Sequence, residues 1–332
     1  MKNISKNEKI DIVILWVDGN DQKWLEQKNK YLKVKGDSGI NRFRDCENLQ
    51  YLFRGIEKYA PWVNKVFFIT WGHLPKWLNI SHEKLEIVKH EDFIPKEYLP
   101  TFNSNVIEMN LHRIKNLSSK FILFNDDLFI LKKLEPSDFF KNDLPKDMYI
   151  EYLKKNCSRR HLIMKKNYLK IINKYFSKEE FIKNNFFKVI NFRYGIDNFK
   201  TIKMLKNKNF EDFYSSHLTQ AFLKETFEEV WDKEKESLSL ACNNKFRADT
   251  DIGNSICRYW QLLSGRFIPT VKMGKYFEMS NNNSEIISSI KEKKYKIICI
   301  NDANKNIDFE KSKKEINSAF ETVFRKKSCF EI

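Results

Sequence analysis

Residues 10–17, IDIVILWV, form a nearly continuous apolar run, the pattern of a parallel β-strand covered on both faces. Such a strand needs helices above and below it, so this one segment directs the chain toward an α/β architecture. A second apolar pattern, FILFNDDLFIL at 121–131, is interrupted by Asn125, Asp126 and Asp127. An unpaired buried carboxylate is costly, so two adjacent ones call for a cation or for converging donors. Ligand groups in open α/β sheets collect at the carboxyl ends of strands, where a carboxylate pair suits a hard divalent cation and a phosphorylated substrate. A β-turn between two hairpin strands accounts for Asn-Asp-Asp as well.

The run at 10–17 leads into Asp18-Gly19-Asn20-Asp21, where Asp21 can cap a helix carrying Trp24, Lys28, Tyr31 and Leu32. A polar break at Gly36 to Gly39 precedes residues 41–59, in which Leu49, Leu52, Phe53 and Ile56 fall at helical spacing. Arg42, Arg44, Asp45 and Asn48 stand at the leading end, where free N–H groups and two arginines would suit a pyrophosphate. A solvated, charged first turn is the competing account. Strands are expected at 65–71 and 85–88, and Asn103 or Ser104 caps a helix with Val106, Met109, Asn110 and Arg113 along one face. That helix delivers His112 and Arg113 just ahead of the strand bearing Asp126 and Asp127. Strands alternating with helices in this way predict a doubly wound α/β fold with a mostly parallel sheet.

From Leu134 the character changes. The chain divides into residues 1–134 and 201–332, two halves of a catalytic core, around a helical insertion at 135–200 whose basic outer face would suit an acceptor or a membrane surface, a merely solvated face being the commoner account. His217 precedes an amphipathic pattern of Leu218, Phe222, Phe227, Val230 and Trp231, where a neutral imidazole could act as a base; a structural histidine is the plainer reading. Arg247 and Asp249 lie ahead of a helix holding Ile256, Trp260 and Leu263. Residues 296–300, KIICI, make a further strand that ends in Asn301-Asp302, the third strand to terminate in a carboxylate. A closing helix near 309–324 reads as packing alone.

The formal charge of +16, from 60 Lys and Arg against 44 Asp and Glu, is spread along the chain and favours anionic partners. It is the sole feature pointing to nucleic acid, and without a stacking motif or a DNA-reading pattern we expect no nucleic-acid partner. The six cysteines, at 46, 157, 242, 257, 299 and 329, contain no CxxC pair and read as reduced thiols. Met1 to Lys9 is polar, without the apolar stretch of a signal peptide, and no run approaches the ~20 apolar residues that span a bilayer. The expectation is a cytoplasmic protein, either soluble or held at the cytoplasmic face of the membrane by charge. No P-loop, GxGxxG, GxSxG or HExxH is present, so phosphate would have to be handled by metal and arginine.

Taken together, IDIVILWVDGND at 10–21, the motifs between Arg44 and Ile130, the stretch from Ser215 to Ile252, and ICINDANKN at 298–306 resemble the four motif blocks of the Stealth family. Within the second block, RDCENLQYLFRGIEKYAPWV, LPTFNSNVIE and FNDD are the most specific matches. In the third, Leu218-Thr219-Gln220 follow the histidine where the family usually carries prolines. The family includes bacterial capsular and exopolysaccharide phosphotransferases and the catalytic region of animal N-acetylglucosamine-1-phosphotransferase. The resemblance implies a core like that of nucleotide-sugar transferases of the GT-A kind, and transfer of a hexose-1-phosphate, such as an N-acetylhexosamine-1-phosphate, from a nucleotide-diphosphate sugar. The acceptor would be a hydroxyl of a glycan or lipid-linked oligosaccharide, and a nucleoside monophosphate would be released. It further implies that Asp127, with Asp126 or Asp302, holds Mg2+ or Mn2+. Trp16, Asp18, Arg44, Asp45 and Asn48 would line the nucleotide side, with Asn103 and Asn105 nearby in the substrate site. His112, Arg113 and Arg247 would meet phosphates, and His217 or an aspartate would take the acceptor proton. A metal-dependent glycosyltransferase releasing nucleoside diphosphate is the alternative on a similar acidic strand end.

Overall fold

The computed structural model describes residues 9–32, 44–153, 158–304 and 306–332; the first eight residues, the break at Gly36 to Gly39, Arg42 and Cys157 lie outside them. Strand β1 (Ile10–Leu15) is followed by α1 (Gln22–Tyr31), α2 (Leu49–Tyr59), β2 (Val66–Thr70), β3 (Leu85–Lys89), α3 (His90–Phe93), α4 (Ser104–Met109), β4 (Lys120–Asn125) and β5 (Leu128–Ile130). The middle of the chain forms α5 (Pro136–Phe139), β6 (Phe140–Lys141), β7 (Leu144–Asp147), β8 (Glu151–Tyr152), α6 (Arg159–Tyr175), α7 (Lys178–Val189), α8 (Asn198–Met204) and β9 (Asp212–Phe213). Then come β10 (Gln220–Leu223), α9 (Lys224–Lys233), α10 (Lys235–Cys242), α11 (Ser255–Leu263), β11 (Ile268–Pro269), β12 (Gly274–Glu278), α12 (Ser284–Lys291), β13 (Ile297–Asn301) and α13 (Phe309–Val323).

The central sheet runs β10-β4-β1-β2-β3. β1 is parallel to both β2 and β4, β2 is parallel to β3, and β10 alone is antiparallel. Alternate residues of each inner strand enter separate cores. Ile12, Ile14, Ile122 and Phe124 meet α2, α12 and α13 on one face, whereas Val13, Phe121 and Leu123 meet α6, α9 and α11 on the other. This is the doubly wound, mostly parallel α/β arrangement that the apolar run at 10–17 requires. Chain order reverses between β4 and β1, which makes their carboxyl ends the switch point of the sheet. At the opposite end, the buried Asp11 carboxylate accepts from the backbone amides of Ser118 (2.7 Å) and Lys65 (3.1 Å) and from Asn64 Nδ2 (2.7 Å), fixing the entries to β4 and β2.

A second sheet, β12-β13-β5, stands beside the first. Because β4 and β5 belong to different sheets, Asn125-Asp126-Asp127 is a crossing between layers, and the hairpin account of these residues is set aside. Helix α2 covers the junction closely: a Cβ on Gly55 would lie 2.8 Å from the Ile130 carbonyl oxygen. The neighbouring Arg54 forms a bidentate pair with Glu331, at 2.8 and 2.7 Å, and donates to the Phe324 carbonyl at 2.6 Å.

Residues 135–200 contain the expected helices and also short strands, β6 to β8. Tyr168, Ile172, Phe181 and Val189 of α6 and α7 lie in the same core as the sheet. A buried pair between Lys178 and Glu151, at 2.8 Å, secures α7 to β8, and Glu151 also accepts from the Glu211 amide at 2.6 Å. Replacing Gly55 by Leu should force α2 off β5 and cost about 3 kcal/mol. A lowered urea midpoint checks this; an unchanged one would show that α2 does not depend on the close approach.

Candidate active site

Past the carboxyl ends of β1 and β4 lies a cleft of about 550 Å³. Of the residues expected at the site, Trp16, Arg44, Asp45, Asn48, Asp126, Asp127, Arg247 and Asp302 line it. All four sequence blocks therefore meet in one cavity. β1 delivers Trp16, the turn before α2 delivers Arg44 and Asp45, the β4–β5 crossing delivers the aspartates, and β13 delivers Asp302.

Asp126, exposed to solvent, and the half-buried Asp127 line the cleft with protein packed closely around both. Burial pushes the Asp126 carboxyl up to about 7, and Asp127 and Asp45 push it further in the same direction. Burial also raises Asp127, against the hold of two donors on its Oδ2: Cys299 Sγ at 3.3 Å and Asn301 Nδ2 at 3.4 Å. Its Oδ1 is buried without a hydrogen-bond partner. The Asp127 carbonyl accepts from the Ile300 amide at 2.9 Å, which stitches β13 to the crossing.

Asp302 is engaged by Arg44, with Nη2 at 2.7 Å from Oδ1 and Nε at 2.6 Å from Oδ2. The Nε contact is misaligned as a hydrogen bond and is best described as a charge contact. Arg44 also lies over the Phe309 ring at 4.5 Å, so the start of α13 backs this pair. Among the described residues no three His, Cys, Asp or Glu side chains form a ready ligand cluster. Asp302 thus faces a guanidinium, and among the other carboxylates that line the cleft Asp126 and Asp127 are the adjacent pair. Their chemistry fits a cation: two adjacent carboxylates, one oxygen without a partner, and raised proton affinity until positive charge arrives.

Arg247 reaches the cleft from a loop pinned by Asp251. The buried Asp251 carboxylate accepts from Asn103 (3.0 Å), Asn105 (3.1 Å), Asn244 (2.9 Å) and the Ala248 amide (3.1 Å). Asn103 also caps α4. Asn103 and Asn105 are therefore occupied in holding the third block against the second, and the structure does not turn them into the cleft. Arg247 Nη2 donates to Ser104 Oγ at 3.0 Å, at the start of α4. Asp18 sits at the rim, its carboxylate accepting from the Asn20 amide at 2.8 Å and lying within electrostatic reach of Asp45.

Three expected residues lie elsewhere. His112 is buried against the rings of Phe227 and Trp231, and burial, assisted by Arg113 and Lys224, pushes its pKa down to about 3. Arg113 lies over Trp231 at 4.8 Å and donates to Asn110 at 3.0 Å. The resemblance implies a phosphate role for both, on a helix running through Arg113; the helix instead ends at Met109, and the following turn directs them to α9. His217 is exposed, has a left-handed φ of 50°, and rests against the Tyr276 ring at 5.3 Å. It precedes strand β10 rather than a helix and does not line the cleft.

The sequence matches Stealth protein CR1, conserved region 1, over residues 8–33 and Stealth protein CR2, conserved region 2, over residues 42–148. A capsular polysaccharide phosphotransferase WcwK of Streptococcus pneumoniae is 44% identical, with 100% of this chain aligned to 99% of the relative. The chain belongs to the Stealth family. Other relatives of this Stealth protein are a receptor polysaccharide phosphotransferase WefC of Streptococcus gordonii, 38% identical over 98% of this chain and 99% of the relative, and an exopolysaccharide phosphotransferase cps2G of Lactiplantibacillus plantarum, 36% identical over 97% and 96%. These relatives carry the names of polysaccharide phosphotransferases, and the protein is an enzyme of that kind. Among solved structures, a bifunctional glycosyltransferase WbbM aligns with 98% of this chain and 53% of its own at 13% identity and a TM-score of 0.39, too slight a likeness to argue from.

The Stealth cleft also contains Glu108, which sequence reasoning matched within LPTFNSNVIE but gave no role. Burial pushes its carboxyl up to about 7, although Arg247, the Asn254 backbone and Ser104 hold it down. The spacing alone could have flagged it, since a glutamate on the helix turn after Ser104 faces the same side. Trp24 and Phe102 add an aromatic wall, their rings meeting edge to face at 5.7 Å. Because Asp251 leaves several donors unpaired when removed, Asp251→Ala should cost about 3 kcal/mol of stability and weaken any activity that needs Arg247. Thermal unfolding with a parallel rate measurement checks this, and an unaltered rate in the folded variant would separate Arg247 from the loop that carries it.

Proposed function

We propose that this Stealth enzyme transfers a hexose-1-phosphate from a nucleotide-diphosphate sugar to a hydroxyl of a glycan or lipid-linked oligosaccharide, in the synthesis of a capsular or extracellular polysaccharide. The observation that carries the reading is the carboxylate pair Asp126 and Asp127 at the sheet's switch point, with a partnerless oxygen, lining one cleft together with Arg247. Family membership supports the class of reaction; the donor, the acceptor and the metal are this proposal's own.

The aromatic wall of Trp16, Trp24 and Phe102 offers faces for a nucleobase, and α2 presents its amino end where Asn48 and Leu49 line the cleft. Asp126 and Asp127 would hold Mg2+ or Mn2+, which when bound neutralises diphosphate charge. Arg247, anchored by Ser104, is placed for the phosphoryl oxygens on which charge develops. Arg44 supplies a second guanidinium, held by Asp302 until an anion competes for it.

Attack by the acceptor oxygen on the sugar-linked phosphorus breaks the bond to the bridging oxygen of the diphosphate. The nucleoside monophosphate leaves, and the C1–O bond of the sugar survives. The hydroxyl proton needs an acceptor in the cleft with affinity near neutrality. Glu108 meets that description and takes the role that the family resemblance gives to His217 or an aspartate; His217 stands outside the cleft.

Incubation with nucleotide sugars, Mg2+ and a hydroxyl acceptor should release nucleoside monophosphate, and Asp127→Ala should lower the rate by roughly a hundredfold or more. Release of diphosphate instead would make the enzyme a glycosyltransferase. The rate should rise with pH through about 7 as Glu108 loses its proton, and Glu108→Gln should flatten that limb. Stability supplies an independent check. The folded Glu108 keeps its proton up to about 7 against an ordinary value of 4.5, so its contribution to stability falls as pH rises across that window. Glu108→Gln should remove that fall in melts recorded at the two ends, and an unchanged slope would show that Glu108 is not the group concerned.

A further inference from the structure

Between α7 and α8 the chain holds large apolar side chains in water. Phe187 is 83% exposed, Phe192 81%, Ile196 83% and Phe199 65%. These residues do not belong to a loose segment. Val189 and Tyr194 are buried between them, and Thr201 is buried just beyond Phe199. The Tyr194 hydroxyl donates to the Lys188 carbonyl at 3.0 Å, and Asn198 Nδ2 donates to the carbonyls of Asn191 and Gly195 at 2.8 and 2.9 Å. The Asn191 amide in turn donates to Asn198 Oδ1 at 3.1 Å. Anchored residues thus alternate with projecting ones, and the projection is built into the turn.

The charge around these residues is one-sided. Residues 181–208 contain seven Lys or Arg and one acidic residue, Asp197. A groove of about 650 Å³ beside this segment is lined by Lys132, Lys146, Lys272, Lys275, Lys294 and Lys296, with Asp138 as its one acidic lining residue. Two features join the groove to the apolar projections. Lys200 of α8 and Lys272 of the groove lie over the same Tyr214 ring, at 5.7 and 5.8 Å, and Arg193 is within electrostatic reach of Lys146. Lys275, Lys294 and Lys296 have carboxylate partners in Glu285, Glu292 and Asp138, while among the described residues Lys132, Lys146 and Lys272 have none. A further exposed apolar residue, Val271, sits on the groove wall.

The geometry points to a docking face for an anionic lipid bilayer, in which Phe187, Phe192, Ile196 and Phe199 enter the interface and the lysine groove lies over the headgroups. Aromatic side chains projecting from a basic surface match the interfacial zone, where rings sit at the level of the headgroups and lysines neutralise their phosphates. A soluble polyanion would use the lysines but leave the four apolar side chains without a partner. The face is separate from the cleft, since the groove lies at the amino ends of β12 and β13 and Asp302 follows the carboxyl end of β13. The inference therefore holds or fails independently of the transfer reaction.

Cosedimentation of the full chain with vesicles tests it. Binding to vesicles containing phosphatidylglycerol is expected, with little binding to pure phosphatidylcholine and a loss at high salt. The combined variant Phe187→Ser, Phe192→Ser, Ile196→Ser and Phe199→Ser should bind at least about tenfold more weakly. Lys272→Glu should weaken binding roughly fivefold or more. Ile80→Ser, at an exposed apolar residue between β2 and β3, should bind as the wild type does. All of these positions are at the surface, so unaltered melting temperatures accompany the expected result. Equal binding of the wild type and the fourfold variant, or no binding to phosphatidylglycerol, would overturn the proposal. So would a wild-type dimer in solution that the fourfold variant converts to monomer, since the face would then belong to a second copy of the chain.

Discussion

Two like charges on consecutive residues, Asp126 and Asp127, are the constraint around which the cleft is arranged. Adjacent carboxylates in a partly enclosed site raise one another's proton affinity, and each would be costly to bury alone. The surrounding structure meets this in part. A thiol, an amide side chain and a backbone strand converge on Asp127 from β13, yet its Oδ1 is left without a partner. A site stabilised to this degree remains receptive to positive charge.

Polar hubs hold the rest in register. Asp11 closes the amino end of the sheet, Asp251 clamps the third sequence block to α4, and Glu331 binds Arg54 on α2. Each buried carboxylate is surrounded by donors drawn from distant parts of the chain. None of the three needs to touch a substrate to matter, because each sets where a cleft-lining residue stands. Asn103 and Asn105 show the consequence: they belong to a motif that reads as substrate-binding, and they serve it by fixing Asp251 and, through it, Arg247.

Much of this was legible in the sequence. The apolar runs at 10–17 and 121–131 became β1, β4 and β5, Asp21 caps α1, and the acidic strand ends converge as their positions implied. What could not be read depended on partners far along the chain. His112 looks functional until Trp231 and Phe227 cover it, and Arg44 looks free for a phosphate until Asp302 meets it across 258 residues. Glu108 stands one helical turn after Ser104, a spacing visible in the sequence, but its altered acidity arises from burial within the cleft. Phe187, Phe192, Ile196 and Phe199 would ordinarily be assigned to a core, and only the fold shows them outside it.

Strand β5 finds its partner in β13, with Leu128 opposite Cys299, so the floor of the cleft joins residues separated by more than half the chain. During synthesis the first three blocks can fold about the central sheet before that partner emerges. The nascent protein then carries the aspartate pair at the ragged edge of an unfinished second layer, without the strand that steadies Asp127. Such long-range closure is slow relative to local helix formation. The cleft floor is thus completed only by the last strand of the chain, because the side-chain donors on Asp127 belong to β13.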